Sequence, residues 1–235
     1  MNGKASLKDV AKYLGVSTAL VSYVINGKEK EARVSDKMVK KIREAVAKLN
    51  YQPNQIAKSL KSGKTNTIGL IVADISNPFF SNIARIIEDE ARKKGYVVIF
   101  GSSDESAEKS QDLLNVFQNR QVDAFIIAPV ENTGTQIREL KKTGLPVVLI
   151  DRYFPSVDVD SVHINNFQAA YNAVDHLINN GRKKIGMMSY DTQLPHIRER
   201  KNGYKAALKA NGIRFKKQFV KEASYQNIER DVAEK

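Results

Sequence analysis

The sequence predicts two architectures in one chain: an all-α helix-turn-helix head, and an α/β body built on a doubly wound parallel sheet. Three observations carry this. Residues 1–64 hold 14 Lys and Arg against 5 Asp and Glu and show apolar residues at helical spacing. From Thr67 onward, apolar β-rich runs alternate with amphipathic stretches. Between the two lies a short segment bracketed by Pro53 and Gly63. With 235 residues, 42% of them hydrophobic and 27% charged, the chain can bury a core in more than one domain. The expected boundaries are a head over 1–52, a hinge helix and linker over 53–66, a first subdomain over 67–165, and a crossover with a partial second subdomain over 166–235.

In the head, Ser6 reads as an N-cap with Asp9 three residues on, an imperfect capping box, and Leu7, Val10, Ala11 and Leu14 form one stripe. Gly15 ends that helix. Ser17 caps a second, whose Leu20, Val21, Val24 and Ile25 fall on one side, with Thr18, Ala19, Ser22, Tyr23 and Asn26 on the other. A third helix is expected from Ser35 to about Asn50, closing a three-helix core with Val39, Ile42, Val46 and Leu49. Two short helices joined by a glycine-bearing turn, the second exposing a small and polar face, fit a motif whose second helix enters the DNA major groove.

Charge agrees. Of the net +12, the first 64 residues carry +9, either the electrostatic footprint of a polyanion partner, whose condensed counterions Lys and Arg displace, or, on charge alone, a solvated basic helix. The N-terminus lacks the apolar stretch of a secretory signal and no run of 18 apolar residues occurs, so a cytoplasmic protein without membrane contact is expected. Cysteine is absent and the three histidines show no metal-ligand spacing, so neither cofactor nor metal is expected.

The run Ser6-Leu7-Lys8-Asp9-Val10-Ala11-Lys12-Tyr13-Leu14-Gly15-Val16-Ser17, followed by Val21-Ser22 and Val24-Ile25-Asn26-Gly27, resembles the head of the lactose and galactose repressor family (LacI/GalR). The resemblance continues through Leu49-Asn50-Tyr51-Gln52-Pro53-Asn54 and Ala57-Lys58-Ser59-Leu60. It implies a dimeric, effector-controlled transcription regulator. Thr18, Ala19 and Tyr23 occupy the positions from which this family reads base edges, within a DNA-facing set of Ser17, Thr18, Ala19, Ser22, Tyr23 and Asn26. Two departures stand out. Tyr23 replaces the Arg or His of several relatives, and Leu20 replaces a frequent Thr, so bidentate readers of guanine or adenine are missing. Tyr23 serves either there or in packing the head. The charged loop Lys28–Arg33 looks longer than in many relatives and reads as solvated surface.

Pro53 stops the preceding helix, Asn54 can cap the next and Gly63 can end it, leaving about nine residues, fewer than the roughly 12–15 an isolated helix needs in water. In the resembling family its partner is the same helix of a second subunit, on DNA. Leu60 would then wedge into the minor groove, with Lys58 and Lys61 on phosphates; the alternative is a plain linker helix with Leu60 buried. Gly63-Lys64-Thr65 is not the end of a phosphate-binding loop, because the required earlier glycine falls at Lys58.

Strands are expected over 67–73, 96–102, 124–128, 147–150 and 161–164, with helices near 80–94, 107–119, 135–143 and 167–180. Ligands of such sheets bind beyond the carboxyl ends of the strands. Those ends carry Asp74, Asn77, Phe79, Phe80, Asp104, Asp151 and Arg152. The run Asp74–Phe80 resembles the first ligand loop of the periplasmic sugar-binding fold that the repressor family shares; Asp151-Arg152 matches a second and Arg200 a third. The resemblance implies a saccharide effector held by Asp74, Asn77, Phe79, Phe80, Asp151, Arg152 and Arg200, through aromatic faces and directed hydrogen bonds. One of Phe79 and Phe80 is expected in the core, Asp151-Arg152 is otherwise a local ion pair, and Asp104 is otherwise a helix cap.

Catalysis finds little support: no Gly-x-Ser-x-Gly elbow occurs, and Glu88-Asp89-Glu90 reads as a solvated helix face. After Lys183 there is room for about two strands at roughly 30 residues per strand-helix-strand unit. A truncated chain with an incomplete second subdomain is therefore expected, loosely packed or abnormally paired over 184–235 unless a longer protein is the natural product. The rival readings are a solute-binding protein without regulatory DNA contact, and a truncated regulator that has lost effector response.

Overall fold

The computed structural model describes residues 5–52, 59 and 63–225, in two compact units, Met1–Thr65 and Asn66–Lys235. The hinge segment Pro53–Lys58 and Leu60–Ser62, with the candidates Leu60 and Lys61, lies outside the described residues. Gly63 at its end has φ 67°, and its N–H donates to the Ser59 carbonyl at 2.7 Å.

The first unit holds α1 (Leu7–Leu14), α2 (Thr18–Ile25) and α3 (Asp36–Lys48). Its capping box is complete: Ser6 Oγ accepts from Asp9 N at 3.3 Å, and Asp9 Oδ2 accepts from Ser6 N at 2.8 Å. Aspartate thus suffices where glutamate or glutamine is usual, and these bonds to Ser6 hold its carboxyl below the ordinary aspartate value. Gly15, at φ 66°, closes α1 by donating to the carbonyls of Ala11 and Lys12. Ser35 occupies the N-cap of α3 but makes no side-chain cap bond. Val10, Val21, Val24 and Ile42 meet in the centre, ringed by Leu7, Leu14, Leu20 and Leu49. Eight-residue helices are unstable alone, so this shared core makes them form.

In the second unit, β1 (Thr67–Val72), β2 (Val97–Ser102), β3 (Ala124–Ile127), β4 (Val147–Ile150) and β5 (Asp160–Val162) form one parallel sheet in the order β2-β1-β3-β4-β5. The crossovers are α4 (Pro78–Lys93), α5 (Ala107–Asn119) and α6 (Gly134–Lys142). Pleat alternation covers both faces. Leu70 and Val72 pack with Phe80 and Ile87 of α4, while Ile71 packs with Leu114 and Phe117 of α5 and Ile137 and Leu140 of α6. Chain order reverses at β1, between β2 and β3, the crevice position where such sheets bind ligands.

Beyond the sheet come α7 (Asn166–Asn179), β6 (Met187–Tyr190), α8 (Pro195–Ala210), a 3-10 turn (Lys217–Phe219) and β7 (Val220–Ala223), with β6 and β7 paired in parallel. The strand expected from Lys184 starts at Met187. The expectation of loose packing is not met over the described residues of this segment. Tyr204, Ala207 and Leu208 of α8 are buried with Val174 and Ile185, and Tyr204 Oη donates to the Ile185 carbonyl at 2.8 Å.

Candidate functional site

On α2, Ser17 Oγ caps the helix by accepting from Leu20 N at 3.2 Å. Asn26 Nδ2 donates to the Ser22 carbonyl at 2.8 Å and to Ser22 Oγ at 3.2 Å, so these two side chains finish the helix. Thr18 and Ala19 are exposed, and Tyr23 is 45% exposed and outside the head core. Of the six expected residues, Thr18, Ala19 and Tyr23 have no side-chain hydrogen bond within the head, while Ser17, Ser22 and Asn26 also make the bonds that end the helix. Tyr13 lies beneath Lys48, whose Nζ donates to Tyr13 Oη at 2.8 Å.

In the second unit, the loop after β1 folds on itself. Ser76 N and Oγ donate to Asp74 Oδ1 at 2.8 and 2.7 Å, and Asn77 Oδ1 caps α4 by accepting from Phe79 N at 3.0 Å. Phe79 is 48% exposed, whereas Phe80 is 2% exposed and belongs to the core, so the two phenylalanines divide as expected. Asp104 is not a helix cap. Ser106 caps α5, and Asp104 binds Lys109 and Ser102, which hold its carboxyl low.

Arg152 is the centre. It is 4% exposed and makes a bidentate pair with Glu105, Nη1 to Oε2 and Nη2 to Oε1, both at 2.7 Å. Its guanidinium lies over Phe80 at 5.5 Å and over Tyr225 at 5.6 Å, and Tyr225 stacks on Tyr190 at 3.9 Å. Asp151 is the weaker partner, 3.6 Å from Arg152 Nε. Burial raises the Asp151 carboxyl above its ordinary value, although Arg152 and Arg200 oppose this. The pair expected from the sequence therefore exists, but Glu105 is the principal counterion. Arg200 Nε donates to Asn166 Oδ1 at 2.7 Å. Asp151 at φ 62° and Glu105 at φ 56° both sit in the left-handed region, at a cost of roughly 1–2 kcal/mol each, a strain typical of functional sites.

Three buried polar atoms of this cluster make no hydrogen bond, Arg152 Nε, His196 Nδ1 and Tyr225 Oη, although Arg152 Nε keeps its 3.6 Å ion pair with Asp151. Phe80 and Tyr225 each pack against the guanidinium, so the cluster is a desolvated one. Glu105, Tyr190, His196 and Tyr225 escaped sequence reasoning; an aromatic just past a strand end is the signal that could have found Tyr225. The imidazole of His196 is pushed from 6.5 to about 3, by burial first and then by the charges of Arg152 and Arg200. The unfolded chain takes up this proton near pH 6.5 and the folded one does not. The stability that the neutral imidazole contributes is therefore lost as pH falls from 6.5 toward 3, by at most about 1.4 kcal/mol per pH unit. Urea unfolding of His196→Met between pH 7 and 4.5 is expected to show a shallower fall than the parent; parallel curves would contradict it.

Residues 6–54 match the family described as bacterial regulatory proteins, lacI family, and residues 65–234 match periplasmic binding proteins and sugar binding domain of LacI family. Catabolite control protein A of Priestia megaterium is 38% identical over 221 residues, covering 94% of this chain and 66% of that protein. The ribose operon repressor of Haemophilus influenzae is 33% identical, covering 94% and 65%. The chain thus spans just under two thirds of the length of these relatives. Among solved structures, transcription regulator CcpA of Lactococcus lactis aligns with TM-score 0.63 at 30% identity, over 72% of this chain and 64% of that one. The lac repressor dimer bound to operator and the anti-inducer ONPF aligns with TM-score 0.82 over 99% of this chain and 71% of that one; at 23% identity this likeness concerns the fold. No helix among the described residues is long and apolar enough to cross a membrane.

Proposed function

Since the chain belongs to the LacI family, with a regulatory head and a sugar-binding-type body, we propose that it is a transcription regulator whose hold on operator DNA is set by a small effector. The observation that carries the reading is the head itself: a capped helix presenting Thr18, Ala19 and Tyr23 from a unit of strongly positive charge. Leu60 acts as the minor-groove wedge and Lys61 as a phosphate contact, which compensates for the weak code on α2.

The effector is an uncharged polyol of saccharide type, held at the carboxyl edge of the sheet. Arg152 already has Glu105 and Asp151 as counterions, so the cluster offers single directed hydrogen bonds and aromatic walls in place of a free cation. Phe79, Asp74 and Asn77 form the rim, and Arg200 the opposite contact. The effector acts only through its different affinities for two arrangements of the molecule.

The regulator works in the cytoplasm as a homodimer. On the edge strand β2, Phe100 is 62% exposed and shares a strand face with Val98, which packs on the α4 side; α4 itself leaves Ile86 62% exposed. A self-complementary apolar patch of this kind suits a two-fold contact.

Fluorescence anisotropy with genomic operator fragments tests the reading. Palindromic sites are expected to bind at least tenfold tighter than half-sites, with affinity falling steeply as salt rises. At least one neutral saccharide in a panel should shift that affinity, and Leu60→Ala should weaken it while reducing the bend. Salt-independent or undetectable DNA binding would return the chain to the solute-binding class.

A further inference from the structure

We propose that a hollow, lysine-rimmed face built by α8, the 3-10 turn and β7 docks an acidic peptide segment of a partner protein. The residues concerned belong neither to the head nor to the cluster around Arg152.

Two adjoining cavities, of about 490 and 360 Å³, share Lys205 and Phe215 in their walls. The first is rimmed by Lys209 and Arg214, the second by Lys201, Lys217 and Lys221. Their floor is apolar: Phe215 rests edge-on against Tyr204 at 6.2 Å, with Met187 and Val220 beyond. Lys205 lies over the Phe215 ring at 5.1 Å. Glu222 is the one acid in these walls and is committed to Lys201 at 2.6 Å. Among the described residues, Lys209, Arg214 and Lys221 have no carboxylate within ion-pair distance, and the walls hold six basic residues against Glu222, so the described part of this face is net positive above an apolar floor.

The spacing selects the occupant. Lys201, Lys205 and Lys209 recur every fourth residue of α8 and so line up over about 12 Å, at 1.5 Å per residue. A single small anion spans far less, whereas about four residues of extended chain, at 3.3 Å each, match it. Flexible ammonium groups are also poor at the bidentate grip that fixes one phosphate. A segment with carboxylates on either side of one large apolar residue satisfies both features. The apolar side chain enters the hollow at Phe215 and the carboxylates meet the lysine rim, giving a desolvated anchor inside a polar ring.

The test uses the whole chain and a fluorescein-labelled nine-residue peptide with Glu and Asp flanking a central Phe, followed by anisotropy at about 150 mM salt. Saturable binding is expected. Combined Lys205→Glu, Lys217→Glu and Lys221→Glu should weaken it about tenfold or more, and Phe215→Ala about fivefold. Combined Lys37→Glu, Lys40→Glu and Lys41→Glu, on the exposed side of α3, should change it by less than about twofold. An equal loss from the head set, or no saturable binding by the parent, overturns the proposal. So does a single-stranded oligonucleotide of equal charge that binds tighter than the peptide through Lys205, Lys217 and Lys221, because the face would then be a nucleic-acid site.

Discussion

Gly203→Ala is expected to lower the stability of the second unit by about 2–3 kcal/mol, although alanine is the better helix former by about 1 kcal/mol. Gly203 is buried in α8 where that helix crosses α7. A Cβ there would fall far inside contact distance of the Phe167 carbonyl oxygen and 3.0 Å from the Tyr171 nitrogen, both backbone atoms of α7. Backbone cannot swing aside as a side chain can, so the two helices must part. Buried contacts such as Tyr204 and Ala207 with Val174 then loosen. At about 2–4 °C per kcal/mol for a unit of this size, the midpoint of thermal unfolding should drop by roughly 4–12 °C. Gly186→Ala is the control. Its Cβ would meet only the Phe219 oxygen, at 3.5 Å, an ordinary contact, and it should shift the midpoint little. Equal midpoints for Gly203→Ala and the parent would show that α7 and α8 are not packed this closely.

Glu105→Gln should be more damaging, by about 3 kcal/mol or more, because it leaves the Arg152 guanidinium buried with Asp151 as its remaining counterion, at 3.6 Å. The amide keeps the shape but replaces one acceptor with a donor aimed at another donor. Arg152→Met alone removes the cation, strands Glu105 and exposes less charge imbalance at the surface, since Glu105 is closer to solvent. The double variant Glu105→Gln/Arg152→Met should be more stable than the sum of the single losses, by at least about 1 kcal/mol, because the buried cation and its bidentate carboxylate are then removed together. Chemical denaturation of the four proteins measures this directly. Additive losses would mean that the bidentate contact is not a coupled pair.

These two residues mark the border of what was legible. The head was readable because its code is local: the Ser6 and Ser17 caps, the Gly15 stop and the apolar stripe of α1 each depend on neighbours within four residues. The five-stranded parallel sheet was readable from continuous apolar runs, and its strand ends moved by no more than two residues. On the ligand side, Asp74, Asn77 and Phe79 stand at the expected strand end, because one loop holds all three. Glu105 was not visible. It is 47 residues from Arg152, in a left-handed turn with no periodicity to announce it. Ser17, Ser22 and Asn26 also make the bonds that end α2, a role that a helical wheel does not show.

By itself the sequence determined the order of elements, the sign and place of the charge, and the candidate reading face on α2, since each rests on short-range spacing. Tertiary structure alone decided that Arg152 belongs to Glu105, that Phe80 is buried and Phe79 exposed, that His196 is buried neutral, and that α7 and α8 meet at a glycine. Those outcomes depend on which distant groups share a desolvated space. There, the cost of an unpaired charge or an extra methyl group reaches several kcal/mol, and no local pattern records it.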